Sequence, residues 1–190
     1  LYMLLSLATG IFYFVWTIVG ISLSVPFFLF IFGIPFALLF IGSVRILGHV
    51  EGRIVEGLLG VRMPRRLPAP AGASETVIAR IGAALADIRT WSSLLYLLLM
   101  LPLGVAYFTL AIVGIALSLS LVGGSLWGLV SGHSYMNAGG IPWLDHLFHT
   151  APGLVLLMLI GAVLIFIVLH MAKGIGWFHG HLAELLLVKL

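Results

Sequence analysis

The fold is decided by residues 1–44, which read LYMLLSLATGIFYFVWTIVGISLSVPFFLFIFGIPFALLFIGSV. This stretch contains no Asp, Glu, Lys, Arg or His. Its length is about twice the ~20 apolar residues that an α-helix needs to cross a bilayer. The sequence therefore predicts that the chain crosses a membrane here and returns, as a helical hairpin.

Much of this stretch recurs later in the chain. Aligning Tyr2 with Tyr96 brings identical residues together, and these include glycines, tyrosines and serines that shared hydrophobicity alone would not match. The matched residues of the first copy are Leu4, Leu5, Leu7, Gly10, Tyr13, Phe14, Ile18–Ile21, Leu23 and Ser24. Those of the second copy are Leu98, Leu99, Leu101, Gly104, Tyr107, Phe108, Ile112–Ile115, Leu117 and Ser118. The pattern indicates an internal repeat of one helical hairpin.

The composition also favours a membrane protein. The chain is 62% hydrophobic and 8% charged, whereas soluble domains carry roughly 25% charged residues. The absence of cysteine excludes disulfides and thiolate metal sites. The sequence has no basic run with interleaved aromatic residues of the kind that binds nucleic acid. The net charge of +3 therefore predicts contact with membrane lipids.

Four membrane spans follow from the hydrophobic runs. They are predicted at residues 2–22, 27–48, 94–122 and 152–172. Ser24–Pro26 is the expected turn of the first hairpin, and Pro35 is expected to kink the second span. The predicted fold class is all-α: an integral membrane four-helix bundle made of two parallel helical-hairpin repeats, with cytoplasmic amphipathic helices.

Amphipathic helices are predicted on both sides of a Pro-rich and Ala-rich linker at residues 63–74. Ile46, Val50, Ile54 and Leu58 form the apolar stripe of the first helix. Val77, Ile81, Leu85 and Ile88 form that of the second. We expect both stripes to lie on the membrane or to pack against each other.

The orientation follows from the basic residues. All nine Lys and Arg residues fall within residues 45–89 or from Lys173 onward, and residues 123–151 have none. Because basic residues stay cytoplasmic, we expect a multi-pass protein of the cell membrane with both termini inside and residues 123–151 outside.

The repeat extends beyond the hairpin. A shift of 128 residues pairs Arg45 with Lys173 and Gly48 with Gly176, among other matches. We therefore predict one membrane domain, residues 1–190, with repeat one at 1–62 and repeat two at 75–190. The second copy includes the extracellular loop at 123–151.

The chemistry within the spans is sparse. Apart from His170, no ionisable residue falls inside a predicted span, which disfavours ion-coupled transport. Glu51 and Glu56 form the only close carboxylate pair, and we expect them on a solvated, Arg-balanced helix. No paired acids, nucleophile with base, or metal cluster of a membrane enzyme is recognisable, so no enzymatic activity is predicted.

The candidate ligand-binding residues lie mainly in the outer loop. Ile141–Thr150 is predicted to form a short helix that caps the bundle with its aromatic residues facing inward, including Trp143. A stimulus site is expected under this cap, with Asp145, His146 and His149 as its polar contacts. The spacing of these three residues is compatible with a divalent metal.

Tyr13 and Tyr107 lie in the middle of their spans. They are expected either to line a pocket between the hairpins or to pack in the core. At the inner face, His49 and His170 are expected to be ordinary interfacial histidines. Haem ligation, which needs two histidines at matching depth on facing helices, is the alternative. No cofactor is predicted.

Three phrases carry a family resemblance: residues 95–108, LYLLLMLPLGVAYF; residues 87–91, DIRTW; and residues 55–64, VEGLLGVRMP. They resemble the bacterial and archaeal "putative sensor" membrane domain. That resemblance implies a four-helix input module of the kind that precedes histidine kinase domains in two-component systems. It implies no ligand and no site residues.

The leading functional prediction is a membrane sensor module that detects an envelope or lipid-phase stimulus and reports to a cytoplasmic signalling partner. The alternatives are an accessory or scaffold subunit of a larger membrane complex, and a protein that binds or transports lipids or hydrophobic small molecules. Small-residue spacings at Gly20–Ser24 and Gly114–Ser118 favour close helix packing, either within each hairpin or in a homodimer or other membrane assembly.

Overall fold

The computed structural model describes residues 1–27, 33–61, 82–83, 85–134 and 139–189. These residues are helical apart from short connections and contain no strand. The helices are α1 (Tyr2–Phe27), α2 (Gly33–Leu59), α3 (Ile88–Ser131), α4 (Pro142–His149) and α5 (Ala151–Glu184), and a π-helical turn (Leu185–Lys189) follows α5. The all-α prediction is confirmed.

Three of the described segments are long and apolar enough to cross a membrane: Tyr2–Ser24, Ile88–Ser131 and Ala151–Val188. Insertion into a membrane follows, because lipid is the solvent that suits such surfaces. The predicted second span, residues 27–48, overlaps α2, but residues 28–32 lie outside the described part of the chain. The linker at 63–74 lies outside it as well.

The predicted turn at Ser24–Pro26 is wrong, because α1 continues through Phe27. Pro26 lies in the last turn of α1, so the one helical hydrogen bond that it cannot donate, to the carbonyl of Ser22, is lost at the end of the helix. The Ser24 hydroxyl donates to the carbonyl of Gly20, 2.6 Å away within the helix, and does not open a turn.

The helix that contains the predicted third span, residues 94–122, continues past it to Ser131. A glycine costs a helix only about 1 kcal/mol relative to alanine, so Gly123 and Gly124 do not end it. At 1.5 Å per residue, the 44 residues of α3 span about 66 Å, longer than the ~30 Å of bilayer hydrocarbon.

The chain divides into two compact units. The first comprises Leu1–Phe108 with Ile175–Leu190, and the second comprises Thr109–Gly174. Helices α3 and α5 each contribute residues to both units.

The core of the first unit is formed by α1, α2, α3 and the end of α5. Its buried apolar residues include Val44, Val55, Leu97, Met100, Ala183 and Leu186. Most of the apolar stripe predicted on α2 faces away from the core: Ile46 is 65% exposed, and Val50 and Leu58 are exposed as well. Ile54, the fourth residue of the stripe, is partly buried and packs against the core. The membrane remains the predicted surface for the three exposed residues.

Helices α1 and α3 approach most closely at two glycines. A Cβ on Gly10 would overlap the carbonyl of Met100 and lie 3.2 Å from Leu101 Cα. A Cβ on Gly104 would overlap the carbonyl of Ser6 and lie 3.2 Å from Leu7 Cα. Gly104 lies 94 residues after Gly10, and Met100 lies 94 residues after Ser6. The two contacts therefore join the same two positions of the repeat, with the roles of the two copies exchanged.

The second unit uses glycines in the same way. A Cβ on Gly114 would overlap the side chain of Val168, and one on Gly161 would overlap Leu121 and Val122. Close helix packing at small residues is thus present in both units.

The crossing of α1 and α3 predicts the effect of adding one methyl group. Gly10→Ala and Gly104→Ala should each lower the free energy of unfolding by about 1–3 kcal/mol, because the new Cβ meets backbone that cannot move aside. Thermal unfolding of the full chain in detergent measures the effect.

Gly42→Ala is the matched control, since a Cβ there meets nothing within 4 Å. Because alanine has a higher helix propensity than glycine, this variant should be as stable as the wild type or slightly more stable. Equal melting temperatures for all three variants would contradict the close crossing.

Candidate functional site

A completely buried carboxylate lies in the first unit. Glu51 of α2 accepts hydrogen bonds from three phenols. The Tyr2 hydroxyl is 2.8 Å and the Tyr96 hydroxyl 3.4 Å from Glu51 Oε1, while the Tyr13 hydroxyl is 3.0 Å from Oε2. A carboxylate with several phenolic donors satisfies the rule that buried charge needs hydrogen-bonding partners.

A buried histidine completes this group. Nε2 of His179, on α5, lies 2.9 Å from the Tyr96 hydroxyl and forms a short hydrogen bond with the Tyr2 hydroxyl. The ring of Tyr107 meets the His179 ring edge-on, with centroids 5.7 Å apart. We call these six residues the tyrosine cluster: Tyr2, Tyr13, Glu51, Tyr96, Tyr107 and His179.

The helices supply these side chains because their polar residues share one side. On α1, Tyr2, Ser6, Tyr13 and Thr17 recur at helical spacing and are buried, whereas the neighbouring Phe12, Val15 and Trp16 are exposed. On α3, Tyr96 and Tyr107 are buried together with Met100 and Ala111. The polar side of α1 therefore faces the protein, and its apolar side faces outward.

Burial shapes the electrostatics of Glu51, which lies beyond the end of the predicted second span at Gly48. Desolvation raises the pKa of its carboxyl above the usual value, and hydrogen bonds from Tyr2, Tyr13 and Tyr96 offset part of that rise. No basic side chain contributes to the shift. The cluster thus stabilises the carboxylate by hydrogen bonding alone.

Two polar atoms of the cluster have no hydrogen-bond partner within the described residues. They are the Tyr107 hydroxyl and Nδ1 of His179, and both are buried. Unpaired buried polar atoms of this kind cost about 1–3 kcal/mol each, so a polar partner at this edge of the cluster would stabilise the fold.

The sequence analysis identified part of this site. Tyr13 and Tyr107 were singled out, and the structure brings both to the cluster. The expectation that Glu51 lies on a solvated surface is wrong, because Glu51 is fully buried and accepts hydrogen bonds from phenols of α1 and α3. Tyr2, Tyr96 and His179 were missed as site residues. A signal was present: the shift of 128 residues that pairs Arg45 with Lys173 also pairs Glu51 with His179.

The outer-loop residues are in the second unit. The predicted short helix is confirmed as α4, but its aromatic residues do not face inward: Trp143 is 67% exposed and no residue of α4 is buried. Nδ1 of His149 contacts the carbonyl of Asp145 at 2.8 Å, and His146 is exposed. The assignment of Asp145, His146 and His149 as ligand contacts stays a prediction.

A small groove of about 220 Å³ lies beside α4 and is lined by Phe148, His149 and Leu154, among others. Among the described residues, no group of three or more His, Cys, Asp and Glu side chains is arranged to hold a metal. His49 and His170 are exposed, and Nδ1 of each contacts a carbonyl one turn earlier in its own helix.

The raised pKa of Glu51 predicts a pH dependence of stability. The folded chain holds the Glu51 proton more tightly than the unfolded chain does. The free energy of unfolding should therefore fall as the pH rises from the ordinary glutamate pKa towards the higher pKa of the folded state. Denaturation in detergent at a series of pH values measures this slope.

Glu51→Gln keeps the shape and cannot ionise, so this variant should lose that slope. Glu56→Gln is the matched control, because Glu56 lies on the same helix and is exposed. An identical pH dependence in wild type and Glu51→Gln would contradict the buried carboxylate.

Comparison with known proteins agrees with the family resemblance seen in the sequence. No curated protein and no solved structure matches the chain significantly. A family model described as "Putative sensor" matches residues 2–187, and this span includes all six residues of the tyrosine cluster. The resemblance found in the sequence is confirmed, and the chain belongs to the "Putative sensor" family.

Proposed function

We propose that the chain is a membrane-embedded input module for signal transduction. In this proposal an envelope or lipid-phase stimulus alters the tyrosine cluster, and the inner helix ends report the change to a cytoplasmic partner. The single observation that supports it most is that one buried carboxylate and one buried imidazole join four helices of the first unit. Family membership supports a sensor role in general.

The cluster is suited to switching because its links depend on charge. Phenols donate to Glu51 when the carboxylate is ionised, and these bonds join α1 and α3 to α2. Protonation of Glu51 weakens them, and a ligand that takes over the phenols replaces them. Buried ionisable groups of this kind are costly and are commonly retained for function.

The membrane arrangement in this proposal has four spans, the second being residues 27–48, which include the first part of α2. Both termini lie in the cytoplasm of a multi-pass plasma-membrane protein. The two halves are parallel repeats. The reciprocal contacts of Gly10 with Met100 and of Gly104 with Ser6 support the repeat. A further reciprocal pair joins Gly48 to Leu187 and Gly176 to Leu59, each pair of equivalent positions being 128 residues apart.

The proposal predicts that the inner helix ends move with the charge of Glu51. Spin labels on introduced cysteines at Arg53 of α2 and His181 of α5 report their separation, because both positions are exposed and belong to the first unit. In lipid nanodiscs, the distance distribution of the otherwise wild-type chain should shift between low and high pH. Double electron–electron resonance measures it.

The same labels in a Glu51→Gln background should give one distribution at every pH. A labelled Glu56→Gln chain is the control and should shift like the wild type. A distribution that is insensitive to pH in all three chains would contradict the switch and favour the scaffold role.

The topology makes an independent prediction. The chain contains no cysteine, so single cysteines at Ser74 and Asn137 are unique labelling sites. An impermeant maleimide applied to intact cells should label Asn137→Cys only, and Ser74→Cys should react after the cells are opened. Labelling of both from outside would contradict the four-span arrangement.

A further inference from the structure

Four polar atoms of the tyrosine cluster form a closed ring. The Tyr2 and Tyr96 hydroxyls lie 2.8 and 3.4 Å from the same oxygen of Glu51, Oε1. Nε2 of His179 closes the ring, because it contacts both of these hydroxyls. Two phenols, one carboxylate and one imidazole, each from a different helix, thus surround one small centre.

The spacing of these atoms fits ligands that share one metal ion. Metal–oxygen and metal–nitrogen bonds of about 2.0–2.2 Å place neighbouring ligand atoms about 2.8–3.4 Å apart. Three of the four neighbouring separations lie in this range: Tyr2–Glu51 is 2.8 Å, Glu51–Tyr96 is 3.4 Å and Tyr96–His179 is 2.9 Å. The fourth, Tyr2–His179, is shorter at 2.5 Å, so these two side chains must move slightly apart to admit an ion. Small shifts of the side chains are enough to exchange the hydrogen bonds for bonds to a metal.

We propose that Tyr2, Glu51, Tyr96 and His179 bind a ferric ion. This assignment rests on the proposed sensor function in one respect, since it names the ligand whose arrival alters the cluster. Phenolate and carboxylate oxygens are hard anionic donors, and they match a hard trivalent cation better than a soft one. Imidazole is a common iron ligand as well.

Charge balance selects the trivalent ion. One carboxylate and two phenolates carry three negative charges, which Fe³⁺ neutralises, while His179 binds as a neutral imidazole. A divalent cation on the same ligands would leave a net negative charge in a buried site, and this is unfavourable. Binding releases the two phenolic protons to solvent, so the ion binds more tightly as the pH rises.

Tyr13 has a positioning role in this site. Its hydroxyl donates to Oε2 of Glu51 at 3.0 Å, so that Oε1 remains directed at the ring. Loss of a hydrogen bond of this kind to a metal ligand typically lowers metal affinity by about 10- to 100-fold. Tyr13→Phe should therefore weaken ferric binding without changing the ligands of the iron.

The experiment uses the full chain in detergent, titrated with ferric nitrilotriacetate and followed by visible absorption and electron paramagnetic resonance. Phenolate ligands give ferric iron a charge-transfer band in the visible region. The wild type should develop this band and saturate at one iron per chain. Tyr2→Phe and Tyr96→Phe should each weaken the band, and the double variant Tyr2→Phe/Tyr96→Phe should abolish it.

Tyr107→Phe is the matched control, because Tyr107 borders His179 but lies outside the ring of four atoms; it should keep the band. Each Phe variant removes one oxygen, and circular dichroism checks that each variant folds. Iron that binds without the band, a band that persists in the double variant, or binding of Zn²⁺ in preference to Fe³⁺ would each overturn the proposal.

The outcome is separable from the sensor proposal, whose spin-label test contains no iron. A chain that binds no ferric ion but still moves with the charge of Glu51 would remove the ferric site and leave the switch. A chain that shows the band but has rigid inner ends would keep the site and remove the switch.

Discussion

The carboxylate of Glu51 and its phenolic donors form the interaction on which the described first unit depends. Three hydroxyls from α1 and α3 meet the two oxygens of one side chain on α2. Without these donors a buried carboxylate would be strongly unfavourable, and without the carboxylate the phenols would lack their main acceptor. Carboxylate and phenols are therefore stable only together, and this requirement fixes the relative positions of the three helices.

The close approach of α1 and α3 is the geometric condition for that interaction. Tyr2 and Tyr96 can share one oxygen of Glu51 and one nitrogen of His179 because Gly10 and Gly104 let the two backbones meet. On each helix the glycine lies eight residues after the first tyrosine and three residues before the second. Packing and polar chemistry in this unit are consequences of one sequence pattern.

The sequence predicted the helices well and the site in part. Long uncharged runs indicate membrane helices directly, since only a helix satisfies its own backbone in lipid. Helix ends were less predictable, because Pro26 and the Gly123–Gly124 pair lie in helices that continue past them. Pro26 comes so near the end of α1 that only one helical hydrogen bond is lost, and each glycine weakens a helix by only about 1 kcal/mol relative to alanine.

The burial of Glu51 was missed for a physical reason. The sequence analysis expected the apolar stripe with Ile46 and Val50 to lie on the membrane or against a second helix, and Glu51 to face water as on an amphipathic surface helix. In this structure those residues are exposed, whereas Glu51 is buried between Val44 and Val55. An apolar surface is stable against lipid, so in a membrane protein the polar residues are the better guide to the interior. Tyr13 and Tyr107 were identified by that logic, and Glu51 and His179 occupy equivalent positions of the repeat.

A double-mutant cycle between Glu51 and Tyr13 tests the central claim most directly. Glu51→Ala, Tyr13→Phe and the double variant would be compared with the wild type by unfolding of the full chain in detergent. A shared buried hydrogen bond predicts a coupling free energy of about 0.5–3 kcal/mol, because the second substitution removes an interaction that is already lost. Strictly additive losses would contradict the account, since they would mean that the carboxylate and the phenol do not meet in the folded protein.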